Sequence, residues 1–306
     1  MIRLVFYGTS DFSVPLLECL AKDTRFEVLT VITQPDRPVG RHAISVTSPA
    51  KQAANRLGIP VRQFDKIKSD EAFGELKKLS ADAAIVASFG QIIPENVLNL
   101  YPHGMINVHG SLLPKYRGAS PIASAIKNGD ETTGITIIKM DAALDHGPTL
   151  AFVTEPIRSD DTNATLSSRL SRLSANLLPD ILFKYLNGNL KPIEQNHAAA
   201  TTVTLLSRED GMLDWNQSAD ELERTVRAFD PWPGTFIMID GKRLKILRAA
   251  VGSKTELLPN TPCIIDGEPA VACGQKTSLI LKRVQPEGKT PMEGKEFLRG
   301  RPGWVH

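Results

Sequence analysis

Asn107 and His109 stand two residues apart in an otherwise apolar run, Gly104-Met105-Ile106-Asn107-Val108-His109-Gly110-Ser111-Leu112-Leu113-Pro114. An asparagine amide offers a neutral donor and an acceptor, and an imidazole carries or moves a proton near neutral pH. A donor beside a proton carrier is what a carbonyl needs as it turns into a tetrahedral oxyanion. The same pair also suits a strand end whose asparagine caps a turn and whose histidine is merely hydrogen-bonded. The two residues alone do not decide between these readings.

To act on one atom, both side chains must share a face, and a strand provides this because alternate residues point the same way. Met105, Ile106 and Val108, fenced by glycine and proline, predict a buried strand. In an open parallel sheet, ligands bind at the C-terminal strand ends. The first half of the chain predicts such a sheet. Residues 2–7 form a first strand, followed by Gly8-Thr9-Ser10-Asp11 and a helix with Leu16, Leu17 and Leu20. Val28–Thr33, Ile59–Gln63 and the nearly all-apolar 82–88 are further strands, and helices fall at 49–57 and 69–79. A single glycine stands in the first turn, where a dinucleotide fingerprint needs three, so a Rossmann-type oxidoreductase is disfavoured. Strands at 134–140 and 149–157 and a long helix over 162–187 complete this part.

Three connections are candidates for ligand contact. Prolines 35 and 38 predict an irregular polar loop from Gln34 to Pro49, where Arg37 and Arg41 could reach a phosphate or simply be solvated. The apolar loop Phe89-Gly90-Gln91-Ile92-Ile93-Pro94 could line a pocket for a flat ring or pack onto the next helix. The turn 141–148 carries two carboxylates, Asp141 and Asp145, of a type common in turns for backbone reasons.

The chain has 306 residues, 42% hydrophobic and 23% charged, an ordinary globular composition with room for two domains. Residues 188–206, rich in small and polar side chains, predict a linker between a domain at 1–187 and another at 207–306. The later part has an amphipathic helix at 218–229, then short alternating strands around the hairpin signal Asp240-Gly241, which predicts a small barrel. From residue 240 onward, twelve basic side chains face seven acidic ones, a net of +5 in a protein whose total is +2. That asymmetry fits either a polyanion partner or an ordinary lysine-rich surface. The three cysteines, Cys19, Cys263 and Cys273, have no metal-ligand spacing, so no metal is expected. The odd count and the absence of a signal peptide or membrane-spanning run point to the cytoplasm.

Asn107-x-His109, Ser111-Leu112-Leu113-Pro114 and Leu144-Asp145-His146-Gly147 are three separated motifs, in the expected order, that resemble the folate-dependent formyltransferases. The resemblance extends through Gly8-Thr9, Gln34-Pro35-Asp36-Arg37-Pro38, Arg117-Gly118-Ala119, Asp214-Trp215 and Pro231-Trp232-Pro233. Along nearly the whole chain it is closest to the branch that formylates methionyl-tRNA.

This resemblance implies a doubly wound, mostly parallel α/β catalytic domain followed by a smaller OB-like β-barrel that binds tRNA. It also implies 10-formyltetrahydrofolate as donor and charged initiator tRNA as acceptor, in the service of translation initiation; a monomer that meets no membrane is expected, with the oligomeric state left open by the sequence. Asn107 and His109 would donate to the oxyanion, while Asp145 would hold the imidazole and help carry the proton. The donor would lie against Phe89, Gly90, Gln91, Ile92 and Ile93, the run Ser111, Leu112, Leu113 and Pro114, and Met140, Asp141 and Leu144. Arg37, Arg41, Arg243 and Lys245 would meet the tRNA.

Two departures stand out. Gly40-Arg41 is followed by His42-Ala43-Ile44 instead of a lysine pair, and His146 replaces a usually small residue and is read as a bystander. An amino-sugar formyltransferase would share Asn107, His109 and Asp145 but would need no basic barrel. A hydrolase releasing formate and a non-catalytic RNA-binding module are the other readings.

Overall fold

The computed structural model describes residues 1–39 and 44–305. In chain order the first elements are β1 (Ile2–Gly8), α1 (Ser13–Lys22), β2 (Phe26–Thr33), β3 (Arg37–Val39), β4 (Ile44–Val46), α2 (Pro49–Arg56) and β5 (Val61–Gln63). Next come α3 (Asp70–Lys77), β6 (Ala83–Ala87), α4 (Glu95–Leu98), β7 (Met105–His109), β8 (Arg117–Gly118), α5 (Pro121–Asn128), β9 (Thr132–Lys139), β10 (Thr149–Pro156) and α6 (Asn163–Leu186). The chain closes with β11 (Thr202–Val203), α7 (Ala219–Ala228), β12 (Thr235–Ile239), β13 (Lys242–Val251), β14 (Pro262–Ile265), β15 (Glu268–Cys273), β16 (Thr277–Pro286), β17 (Met292–Glu293) and α8 (Gly294–Arg299).

Two compact units result. The first comprises residues 1–118, 133–155 and 167–202, and the second 119–132, 156–166 and 203–306. The first holds a seven-stranded sheet in the order β10-β9-β7-β6-β1-β2-β5. From β7 through β5 neighbouring strands run parallel, and β9 joins β7 antiparallel, pairing Asn107 with Ile138 and His109 with Thr136. Apolar strands such as Ala83–Ala87 are buried along their whole length, as parallel strands covered on both faces must be. Leu16, Leu17 and Leu20 of α1 are likewise buried, Leu20 standing four and three residues beyond the other two on one helix face.

Two stretches are more ordered than the sequence predicts. Part of the expected irregular loop is the two-stranded hairpin β3–β4, in which Arg37 faces Val46 and Pro38 faces Ser45. Proline is tolerated there because each strand is paired along one edge, so the missing N–H can face outward. The stretch read as a linker is pinned to the first unit as far as Thr202. Ile193 bridges Thr149, and the Arg117 N–H donates to the Thr201 carbonyl at 2.8 Å.

In the second unit β12-β13-β16-β15-β14 form an antiparallel sheet, with β17 paired to β16. Alternation along β13 buries Leu244 and Ile246 with Leu222, Val226 and Trp304 and leaves Arg243 and Lys245 outside. Helix α7 starts at a capping box. Ser218 Oγ accepts from the Glu221 N–H at 3.4 Å, and Glu221 Oε2 accepts from the Ser218 N–H at 2.8 Å. Helix α5 lies against α7 in this unit, with Arg224 Nε donating to the Lys127 carbonyl at 3.2 Å.

Candidate active site

Strand β7 does what its alternation requires. Met105, Ile106 and Val108 are buried among neighbouring strands, and Asn107 and His109 emerge on one face. Asp145 reaches the pair from the turn after β9. Asn107 Nδ2 donates to Asp145 Oδ1 at 3.0 Å, and His109 Nδ1 lies 3.5 Å from Asp145 Oδ2. His109 Nε2 donates to the Tyr116 carbonyl at 2.9 Å. The imidazole N–H expected to face an oxyanion is therefore occupied by a backbone acceptor. A ring carrying protons on both nitrogens satisfies both of its neighbours. Asn107 has two N–H bonds and gives one to Asp145, which leaves one for a ligand.

The carboxylate is held by more than this pair. Gly118 N–H donates to Asp145 Oδ2 at 2.8 Å, from a residue at φ 115 that favours glycine. Asp145 itself has φ 47, in the left-handed region that non-glycine residues rarely occupy. Gly147 lets the turn close against β9, since a Cβ there would stand 1.9 Å from the Lys139 carbonyl oxygen. Gln195 Nε2 donates to the carbonyls of Asp145 and Gly147 at 2.9 and 2.8 Å. Arg117 Nη2 donates to Gln195 Oε1 and to His197 Nδ1, each at 2.8 Å. The sequence singles out Arg117 as part of a motif but gives no sign of Gln195, an ordinary polar residue in a stretch that reads as linker.

The residues expected to contact the donor divide by burial. Phe89 and Ile93 belong to the core, and the Phe89 ring meets Tyr7 edge-on at 5.3 Å. Gln91 ties its loop down, accepting from the Ile67 N–H at 2.7 Å and donating to the Phe64 carbonyl at 3.0 Å. Ile92 and Leu144 are the apolar side chains held out in solvent, at 89% and 62% exposure, and Gly90 is also exposed.

Ser111 is fully buried and donates to the Lys115 carbonyl at 2.6 Å, so its hydroxyl shapes the loop. Leu112, Leu113 and Pro114 are half-buried, and the Leu113 N–H is bound to Thr136 Oγ1 at 3.0 Å. Met140 is partly buried and packs on the core cluster that includes Phe89. Asp141 binds His146 Nδ1 at 2.6 Å, and the His146 ring stacks on His197 at 3.9 Å, so His146 is engaged within the turn's own support.

A cleft of about 490 Å³ opens at the ends of β1, β2 and β6, lined by hydroxyl residues including Thr9, Ser10, Thr47 and Ser48 and by Arg37. Next in sequence to the cleft's lining residues Pro35 and Arg37, Asp36 accepts from the Lys51 ammonium at 2.6 Å, and Lys51 also donates to Gln63 Oε1 at 2.8 Å. Hydrogen bonds from Lys51 and Gln63 hold the Asp36 carboxyl below the usual carboxylate range. Arg41 lies outside the described residues. On the second unit Arg243 and Lys245 are exposed neighbours on one face of β13, and Arg243 lies over the Phe236 ring at 4.5 Å. Among the described residues neither has an ion-pair partner, whereas Arg248, Lys276 and Lys282 pair with Glu293, Glu256 and Glu268.

The formyl transferase family matches residues 1–182, and the family of formyl transferase C-terminal domains matches 205–302. A methionyl-tRNA formyltransferase of Roseiflexus sp. (strain RS-1) is 44% identical over 301 residues, covering 98% of this chain and 92% of that protein. The methionyl-tRNA formyltransferase of Bacillus subtilis (strain 168) is 39% identical over 302 residues, covering 98% and 95%. Among solved structures, a sugar 3N-formyl transferase determined with dTDP and 5-N-formyl-THF superposes with a TM-score of 0.67 at 18% identity, over 95% of this chain and 99% of that one. HypX from Aquifex aeolicus, in complex with tetrahydrofolic acid, gives 0.63 at 16% identity over 97% of this chain and 47% of that one. At such identities the structural matches establish the fold.

Proposed function

This chain belongs to the formyl transferase family, in its methionyl-tRNA formyltransferase branch, and from that premise we propose how its residues divide the work. The reaction moves a formyl group from 10-formyltetrahydrofolate to the α-amino group of methionyl-tRNA. The new bond joins the amine nitrogen to the formyl carbon, the bond from that carbon to the folate nitrogen breaks, and the amine's proton goes to the folate nitrogen. An α-amino group has a pKa of about 8, so a useful fraction is already neutral and needs positioning more than activation.

The observation that carries the assignment of roles is the convergence of Asn107, His109 and Asp145, held at 3.0 and 3.5 Å. Asn107 directs its remaining N–H at the oxyanion formed on the formyl oxygen. Asp145 and His109 act as a pair that takes the proton from the attacking amine and passes it toward the departing folate nitrogen. His109 contributes a mobile proton, and its other N–H stays on the Tyr116 carbonyl as an anchor.

The donor's ring system lies against the exposed apolar side chains Ile92 and Leu144 and the backbone around Gly90 and Met140. The hydroxyl-lined cleft with Arg37 offers hydrogen bonds and charge to the ribose-phosphate end of the acceptor tRNA. Arg243 and Lys245 meet its phosphates elsewhere. We read the chain as a cytoplasmic monomer acting on initiator tRNA, and its methionyl-tRNA formyltransferase relatives support the tRNA part of that reading. Among the described residues no helix is long and apolar enough to cross a membrane.

The test is to supply enzyme and 10-formyltetrahydrofolate with charged initiator tRNA, and separately with an amino-sugar nucleotide. Formylmethionine recovered from the tRNA is the expected product. Formylation of the sugar amine with the tRNA left untouched overturns the acceptor.

A further inference from the structure

We infer that Gln195, locked in place by Arg117, is the positioning residue for the Asp145 carboxylate. The inference rests on the catalytic role proposed above for Asp145. Gln195 comes from the segment between α6 and β11, 50 residues beyond Asp145 in sequence. Its side chain is 8% exposed. Both N–H bonds of its amide are spent on one turn, at the carbonyls of Asp145 and Gly147. Those two carbonyls flank His146, so one amide group spans the turn that presents the carboxylate.

The orientation of that amide is not free. Arg117, also 8% exposed, donates from Nη2 to Gln195 Oε1 at 2.8 Å. A guanidinium only donates, so it requires the oxygen of the amide and excludes the flipped arrangement. The same Nη2 reaches His197 Nδ1 at 2.8 Å, which fixes that ring nitrogen as an acceptor. Among the described residues no carboxylate pairs with Arg117, and its buried Nε has no hydrogen-bond partner. A buried guanidinium devoted to neutral acceptors is costly by itself, which argues that its geometry serves something nearby.

That something is a backbone under strain. Asp145 stands at φ 47, and a non-glycine residue there persists where its surroundings over-determine it. Gln195 grips its carbonyl from one side, while Gly118 N–H and the Asn107 amide grip its carboxylate from the other. Released from Gln195, the turn can relax and carry the carboxylate away from the reacting atoms. A misplacement of about 1 Å costs on the order of 10²-fold in rate.

The test compares full-length wild type, Gln195→Glu, Gln195→Met, Asp145→Asn and the double variant Asp145→Asn/Gln195→Glu in formylation of charged tRNA. Gln195→Glu keeps an acceptor for Arg117 and loses both donors, and Gln195→Met, of similar volume, supplies the same measurement if the first variant fails to fold. The expected result is a fall in kcat of about 10²-fold, with unchanged KM for tRNA and donor. The double variant should be no slower than Asp145→Asn, because two residues acting through one group are not additive. Wild-type kcat in the Gln195 variants, a rise in KM alone, or fully additive losses in the double variant would overturn the inference. If Asp145→Asn itself turns over normally, the catalytic role of Asp145 fails first, and that result is separable from inactivity of Asp145→Asn with active Gln195 variants.

Discussion

The side chain of Asn107 donates a hydrogen bond to the carboxylate of Asp145, 3.0 Å away and 38 residues further along the chain. That bond uses one N–H and orients the other, so the amide is preorganised before substrate arrives. Asn107→Ala should lower kcat by about 10²–10³, with KM for charged tRNA unmoved. Single-turnover formylation measures this directly, and a loss confined to KM would assign Asn107 to binding.

His146 tests the opposite expectation. Its ring stacks on His197 and bonds Asp141, and among the described residues it has no hydrogen bond to Asn107, His109 or the Asp145 side chain. His146→Ala should retain turnover within about twofold while losing about 0.5–1 kcal/mol of stability from the missing stack. Urea unfolding alongside the activity assay separates the two effects. A large drop in kcat at unchanged stability would place His146 in the chemistry.

The exposed pair Arg243 and Lys245 predicts a salt effect. Each phosphate contact adds about 0.9 to the slope of log affinity against log salt for duplex nucleic acid. Arg243→Ala/Lys245→Ala should weaken tRNA binding and flatten that slope by about 2. The kcat at saturating tRNA should stay at its wild-type value. A slope equal to that of the wild type would remove both residues from the interface.

The capping box of α7 predicts a pH-dependent contribution to stability. Hydrogen bonds from Ser218 hold the Glu221 carboxyl below its ordinary value of 4.5. A depressed carboxyl contributes stability that is complete above the unfolded value and disappears as pH falls through the folded one. Ser218→Ala should therefore cost about 1 kcal/mol at neutral pH, and its gap from wild type should narrow below pH 4.5. Urea midpoints across that range measure it. A gap that widens in acid would contradict the stated sign.

Burial also sets thiol chemistry, pushing Cys19 and Cys273 up to about 12. At pH 8 their thiolate fraction is on the order of 10⁻⁴. Both should be slow toward a disulfide reagent in the native protein, and all three cysteines should react after denaturation. Fast native labelling of Cys273 would show that the sheet around it opens readily.

By itself, the sequence determined what depends on local pattern. The apolar run around Asn107 and His109 had to be a buried strand, and a period of two had to put both side chains on one face. Strand after apolar strand in the first half pointed to a mostly parallel sheet, and short alternating segments around Asp240-Gly241 pointed to antiparallel pairing.

Local pattern does not say which distant backbone will meet a side chain, and that is what the tertiary structure decided. Gln195 reaches Asp145 across 50 residues and Arg117 reaches Gln195 across 78. Phe89 turned inward, although its loop read equally well as a pocket wall, and so did Ser111, which the resemblance set against the donor, because burial depends on what packs above a loop. Segments 119–132 and 156–166 joined the second unit for the same reason. Periodicity records the face a residue presents, and the partner on that face is set when the whole chain closes around it.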